Sequence, residues 1–195
     1  MIKRILTGLF IIFAFICTFL TTSFAAAPTG YPKPDAPHWQ KSPIVVYIPQ
    51  DPKSASMQNA FKRWQDASEQ KLKFQYINDK KKADITVEFT DKVNGSDGPL
   101  GEYSLEIQGM EITKATIKIA TKSTQIKKYS KNYIFTTMMH EVGHVIGMKD
   151  SDRKRSSIMH MPVDETQDIL VSDKRNLYRI YGWDWINRKR GYAHL

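Results

Sequence analysis

The sequence predicts an α+β fold in one domain, on three observations. Short strand-like runs, apolar or alternating, recur five times between residues 44 and 119. Three further stretches, near 51–67, 130–148 and 172–182, have helical rather than strand character. The chain of 195 residues has no internal repeat and suits a single substantial core.

The elements follow in order. Lys3 and Arg4 precede an apolar run from Ile5 to Leu20, and the small residues Ser23, Ala25, Ala26 and Ala27 come next. This is the pattern of a secretory leader, with cleavage expected after Ala25 because Pro28 disfavours a cut after Ala27. The expectation is a secreted protein, or a membrane-anchored one if the leader stays uncut. Residues 26–42 form a proline-rich arm, residues 43–182 the domain, and residues 183–195 a basic, aromatic tail. Ile44 to Ile48 reads as a buried strand. Asp51 is placed to cap a helix with Pro52 in its first turn, and Met57, Ala60, Phe61, Trp64 and Ala67 then recur at helical spacing, which core packing explains. Leu72, Phe74 and Tyr76 alternate, as do Ile85, Val87 and Phe89, giving two strands around the charged turn Asp79 to Lys82. A glycine-rich loop from Asn94 to Gly101 leads to an edge strand near Tyr103 to Ile107 and a strand at Ala115 to Ile119. The helix from about Ser130 to Met148 is apolar almost all round (Ile134, Met138, Val142, Val145, Ile146), so it is expected to be buried against the sheet. The last helix, Ser172 to Gly182, turns Leu177, Ile180 and Tyr181 inward.

The buried helix carries the chemistry. His140 and His144, four residues apart, leave one helix face close enough to share a single ion, the arrangement of a zinc clamp. Glu141 projects beside that ion without ligating it and is the candidate general base. A catalytic zinc needs a third protein ligand. Gly147 is a natural helix stop that turns the chain back just before Asp150, the expected third ligand; Asp152 and His160 lie within a loop's length as alternatives.

Together these residues read H-E-x-x-H-x-x-G-x-x-D, from His140 to Asp150, followed by Ser157-Ile158-Met159. The pattern resembles the metzincin signature, with aspartate at the last position as in the snapalysin-like branch. Met159 looks like the metzincin Met-turn, which passes beneath the metal. The element order from Trp39 to Gly182 resembles a matrixin catalytic domain. The resemblance implies a metzincin (zincin-like) fold: a mixed, twisted five-stranded sheet, a buried active-site helix, a Met-turn and a C-terminal helix. It implies a zinc metalloendopeptidase whose polypeptide substrate lies along the edge strand, at Tyr103, Ser104 and Leu105, with Met161 and Pro162 walling the side-chain pocket. Asp97-Gly98-Pro99 is similar to the family's calcium loop, so a calcium ion is a further expectation.

Composition narrows the alternatives. Cys17, the only cysteine, sits inside the leader's apolar run, which leaves the mature chain without a disulfide or a cysteine-ligated zinc. The formal charge is +9, from 29 basic and 20 acidic residues. A basic exported protein can adhere to an anionic cell wall or membrane surface, whereas no nucleic-acid-binding motif is present. A monomer is expected. Two other functional classes compete: a matrixin-like cell-wall binding protein using the basic surface and Trp183-Asp184-Trp185, and a zinc hydrolase acting on cell-wall peptides.

Overall fold

A computed structural model describes residues 33–93, 99–120, 130–152 and 154–185. The leader, the first part of the arm, Asp97 and Gly98 of the expected calcium loop, and the end of the basic tail lie outside the described residues.

The five expected strands are β1 (Ile44–Tyr47), β2 (Phe74–Ile77), β3 (Ile85–Thr90), β4 (Gly101–Gln108) and β5 (Glu111–Ala120), and the helices are α1 (Ser54–Ala67), α2 (Lys131–Val145) and α3 (Val171–Ile180). The strands form one sheet in the order β2-β1-β3-β5-β4. All neighbours are parallel except β4, which runs antiparallel to β5 and forms an edge. The sheet is therefore mixed and five-stranded, with helices packed against it.

Several boundaries move: β5 starts at Glu111 rather than Ala115, α2 ends at Val145 rather than Met148, and two more move for local reasons. The helix expected to start beside Asp51 begins at Ser54. The Asp51 carboxylate accepts the Lys53 N–H at 2.9 Å, and the Asp51 N–H donates to Ser54 Oγ, so Asp51 closes the turn ahead of α1 instead of capping it. Leu72, read as the start of a strand, is held in the exit from α1 because its N–H donates to Ser68 Oγ at 3.0 Å, and pairing with β1 begins at Phe74.

The α1 stripe of Met57, Ala60, Phe61, Trp64 and Ala67 is wholly buried. It packs on α2 and touches β2, while α2 lies against β4 and β5. Ile44, Val46, Ile85, Val87, Ile117 and Ile119 of β1, β3 and β5 complete the same core. From Thr136 to Val145 every residue of α2 is buried, as its nearly continuous apolar sequence predicts. The arm joins the domain before β1: His38 bridges to Glu111 at the start of β5, and Trp39 is buried. At the other end of the domain Trp183 stacks on Tyr181 and Trp185 meets the ring of Tyr178 edge-on, so the aromatic tail lies against α3.

Candidate metal centre

The site is built at the C-terminal half of α2. Ser130 starts this helix, its hydroxyl accepting the Tyr133 N–H at 3.0 Å and donating to Glu165. The helix ends through Gly147, whose φ of 98° is open to glycine and strained for other residues. Met148 N–H donates to Gly143 O at 3.0 Å and Gly147 N–H to His144 O at 2.9 Å, the paired bonds of a Schellman reversal. That reversal does two things. It sets the Met148 carbonyl 3.0 Å from His144 Nδ1, and it sends the chain back so that Asp150 faces the two histidines.

His140 Nε2 and His144 Nε2 are 3.0 Å apart, and Asp150 Oδ1 lies 3.4 Å from the first and 3.3 Å from the second. Four ligands at about 2.0–2.1 Å around a tetrahedral zinc are separated by roughly 3.3 Å, so these spacings fit the edges of a zinc tetrahedron. The proton arrangement fits as well. His140 Nδ1 lies 2.7 Å from Ile158 O, and His144 Nδ1 3.0 Å from Met148 O. A carbonyl only accepts, so each Nδ1 carries the proton and each Nε2 presents its lone pair inward. Two lone pairs and a carboxylate oxygen thus converge with no donor among them, an arrangement that a cation resolves. Burial, then the neighbouring His140, pulls His144 down to about 4, and burial also holds His140 below its ordinary value, so both imidazoles are neutral at physiological pH.

Glu141 is buried beside this cluster, and its Oε2 has no hydrogen-bond partner among the described residues. Burial raises its pKa to about 8, with Asp150 and Glu102 adding to the rise. Its carboxylate presses on the start of β4: a Cβ at Gly101 would lie 2.4 Å from Glu141 Oε1. Glycine is required there for space.

Met159 is fully buried under the helix. A Cβ at Gly143, between the two histidines, would lie 2.3 Å from the Met159 sulfur and 3.0 Å from the Trp64 ring. The turn before it supplies the Ile158 carbonyl to His140 and is tied to α3, because Ser157 Oγ donates to Asp173 Oδ1 at 2.6 Å. The other oxygen of Asp173 accepts the Leu170 N–H at 2.8 Å.

Among the described residues, His140, His144 and Asp150 are the group able to hold a metal ion, and neither Asp152 nor His160 belongs to it. His160 Nδ1 instead bonds the Ser151 carbonyl at 2.9 Å. The Tyr103 ring stacks on His144, with centroids 4.0 Å apart and planes at 15°. Ser104 and Leu105 follow along the edge strand, while Met161 and Pro162 are exposed on the loop after Met159. That loop is braced by Gln167, whose Nε2 donates to His160 O and Pro162 O, both at 3.0 Å. Sequence reasoning missed Gly101, Asp173, Gln167 and the stacking of Tyr103. The glycine-rich character of residues 94–101 was the only local signal for any of them.

Residues 39–182 match the sequence profile of the family described as Matrixin. This chain belongs to the matrixin family of peptidases. Among solved structures, it is similar to myroilysin, at 16% identity and a TM-score of 0.47, over 78% of this chain and 93% of that one. It is also similar to archaemetzincin from Methanopyrus kandleri, at 12% identity and a TM-score of 0.44, over 72% of this chain and 97% of that one. No curated protein matches the chain. The matrixin match begins at Trp39, the residue at which the arm becomes buried in the domain, and ends just after α3.

Proposed function

We propose that this matrixin is a secreted zinc endopeptidase in which His140, His144 and Asp150 hold the metal and Glu141 is the general base. The observation that carries the reading is the convergence of three acceptor atoms without a donor beside a buried carboxylate whose Oε2 has no hydrogen-bond partner among the described residues. Zinc bound there supplies a Lewis acid that polarises the scissile carbonyl and lowers the pKa of the attacking water.

The chain's own groups do the rest. Glu141 Oε2, without another partner among the described residues, takes a proton from water as the water oxygen bonds to the carbonyl carbon. As the C–N bond breaks, the same carboxyl returns that proton to the leaving nitrogen. A nearby cation offsets the burial that holds Glu141 protonated, and so makes the carboxylate available as a base. β4 supplies the substrate track: it is the sheet's edge, and no strand pairs its outer side among the described residues. An extended peptide would add there, past Tyr103, Ser104 and Leu105, with Met161 and Pro162 beside its side chains. Peptides of a cell wall would be cut by the same chemistry, and an unfolded protein substrate distinguishes the general protease from that narrower hydrolase.

The test is zinc content measured together with hydrolysis of casein and of purified wall material. The expected result is about one zinc per chain, casein cleavage that a chelator abolishes, and recovery on adding zinc. Glu141→Ala should keep its zinc while turnover falls on the order of a hundredfold or more. A protein that takes up no divalent metal at neutral pH would overturn the proposal, and cleavage of wall peptides alone would replace it with the narrower one.

A further inference from the structure

We propose that Tyr103 is a positioning residue for the metal centre, whose ring strengthens the hold of His144 on zinc through stacking; the inference rests on the reading of His140, His144 and Asp150 as zinc ligands.

The buried His144 imidazole is held by several neighbours. Its Nδ1 is bonded to Met148 O, its Nε2 faces His140 and Asp150, and its ring meets the His140 ring at 88°. Tyr103 covers one face of the ring from β4, with centroids 4.0 Å apart and the two planes at 15°. The cover is rigid, because Tyr103 is held opposite the buried Ile117 in the β4–β5 ladder.

Stacking against a phenol ring is more than protection from solvent. A metal on Nε2 withdraws electron density from the imidazole, and an electron-poor ring is drawn more strongly to the negative face of an aromatic one. The contact is therefore stronger with zinc bound than without it, and that difference adds to zinc affinity. Tyr103 is 39% exposed, so its replacement leaves no large cavity in the core.

Three variants separate the ring from its volume and its hydroxyl: Tyr103→Phe keeps the ring, Tyr103→Leu keeps much of the bulk, and Tyr103→Ala keeps neither. Zinc affinity is read by competition with a chromogenic chelator, and melting temperature is read on the metal-free proteins. The Leu and Ala variants should bind zinc about three- to tenfold more weakly, the Phe variant within about twofold of wild type. All three metal-free proteins should melt close to wild type. Zinc held as tightly by Tyr103→Leu as by wild type would overturn the inference, as would equal weakening in Tyr103→Phe, which would transfer the effect to the hydroxyl. A fall in metal-free melting that accounts for the whole change would reduce Tyr103 to a packing residue and also overturn it. A wild-type protein that binds no zinc fails earlier and differently, at the reading of the ligands themselves.

Discussion

At the scale of single residues, the site depends on how Glu141 is confined. Its carboxylate fits only because position 101 lacks a side chain, since a Cβ there would lie 2.4 Å from Oε1 and 2.6 Å from Cγ. Gly101→Ala should leave zinc stoichiometry unchanged, because no ligand is touched. Displacing a reacting group by about 1 Å costs on the order of a hundredfold in rate, so casein hydrolysis should fall by about that factor. Loss of zinc, or unchanged turnover, would show that Glu141 is not held in this way. The same confinement gives a pH signature in the metal-free protein. Glu141 has its folded pKa raised from 4.5 to about 8, so the folded state holds more protons between those values and stability falls as pH rises through 8. His144 works the other way: its folded pKa, lowered from 6.5 to about 4, makes stability fall as pH drops from 6.5. Between pH 6.5 and 8 the Glu141 effect outweighs the fading, opposite effect of His140 and His144. Chelator-stripped wild type should therefore melt lower at pH 8 than at pH 6.5, and Glu141→Gln should lose most of that slope. A slope of equal size in both proteins would mean that another group sets it.

At the scale of elements, helix α2 was the most legible part of the sequence because its information is local. His140, Glu141 and His144 share one helix, and Gly147 fixes where it ends, so the return of Asp150 to the histidines followed from the spacing. The contacts with β4 were not legible. Tyr103 reaches His144, and Gly101 leaves room for Glu141, only because β4 pairs with β5 in a register that sets Gly101 opposite Ile119 and Tyr103 opposite Ile117. Alternation along a strand gives its two faces but not its register, and nothing in residues 101–108 names the helix they face. Asp173 escaped for a similar reason: it reads as an ordinary first-turn acid of α3, and its bond to Ser157 joins residues that no local pattern links. The helix end is itself open to test. Gly147→Ala would force a side chain into a φ of 98° and set its Cβ 2.6 Å from the Pro37 carbonyl. Strain of this kind costs of order 1–3 kcal/mol before the clash is counted. Melting should drop by several degrees, and zinc should be lost more readily because the Met148 carbonyl that orients His144 moves with the reversal. A stable variant with normal zinc affinity would separate the Schellman turn from the metal site.

At the scale of the whole molecule, the chain's distant parts meet where α2 ends. Pro37 lies over Gly147, the Trp39 indole N–H donates to Val145 O at 2.7 Å, and the Tyr181 hydroxyl donates to Ile146 O at 3.1 Å. The last carbonyls of a helix have no partner within it, and here the arm before β1 and the residue after α3 supply one each. The last turn of α2 also carries His144, so the closure of the domain and the geometry of the metal site are parts of one structure. Tyr181→Phe tests this with the smallest possible change, removing a hydroxyl and keeping the ring that stacks on Trp183 and packs beside His38. The buried Ile146 carbonyl then loses that donor, at about 1–3 kcal/mol. For a domain of this size that amounts to a drop of several degrees in melting temperature. If the coupling is real, the variant should bind one zinc but release it to a chelator faster than wild type, because His144 sits on the loosened turn. A lower melting temperature with unchanged zinc release would confine the role of Tyr181 to stability and leave the site independent of how the ends of the domain are fastened.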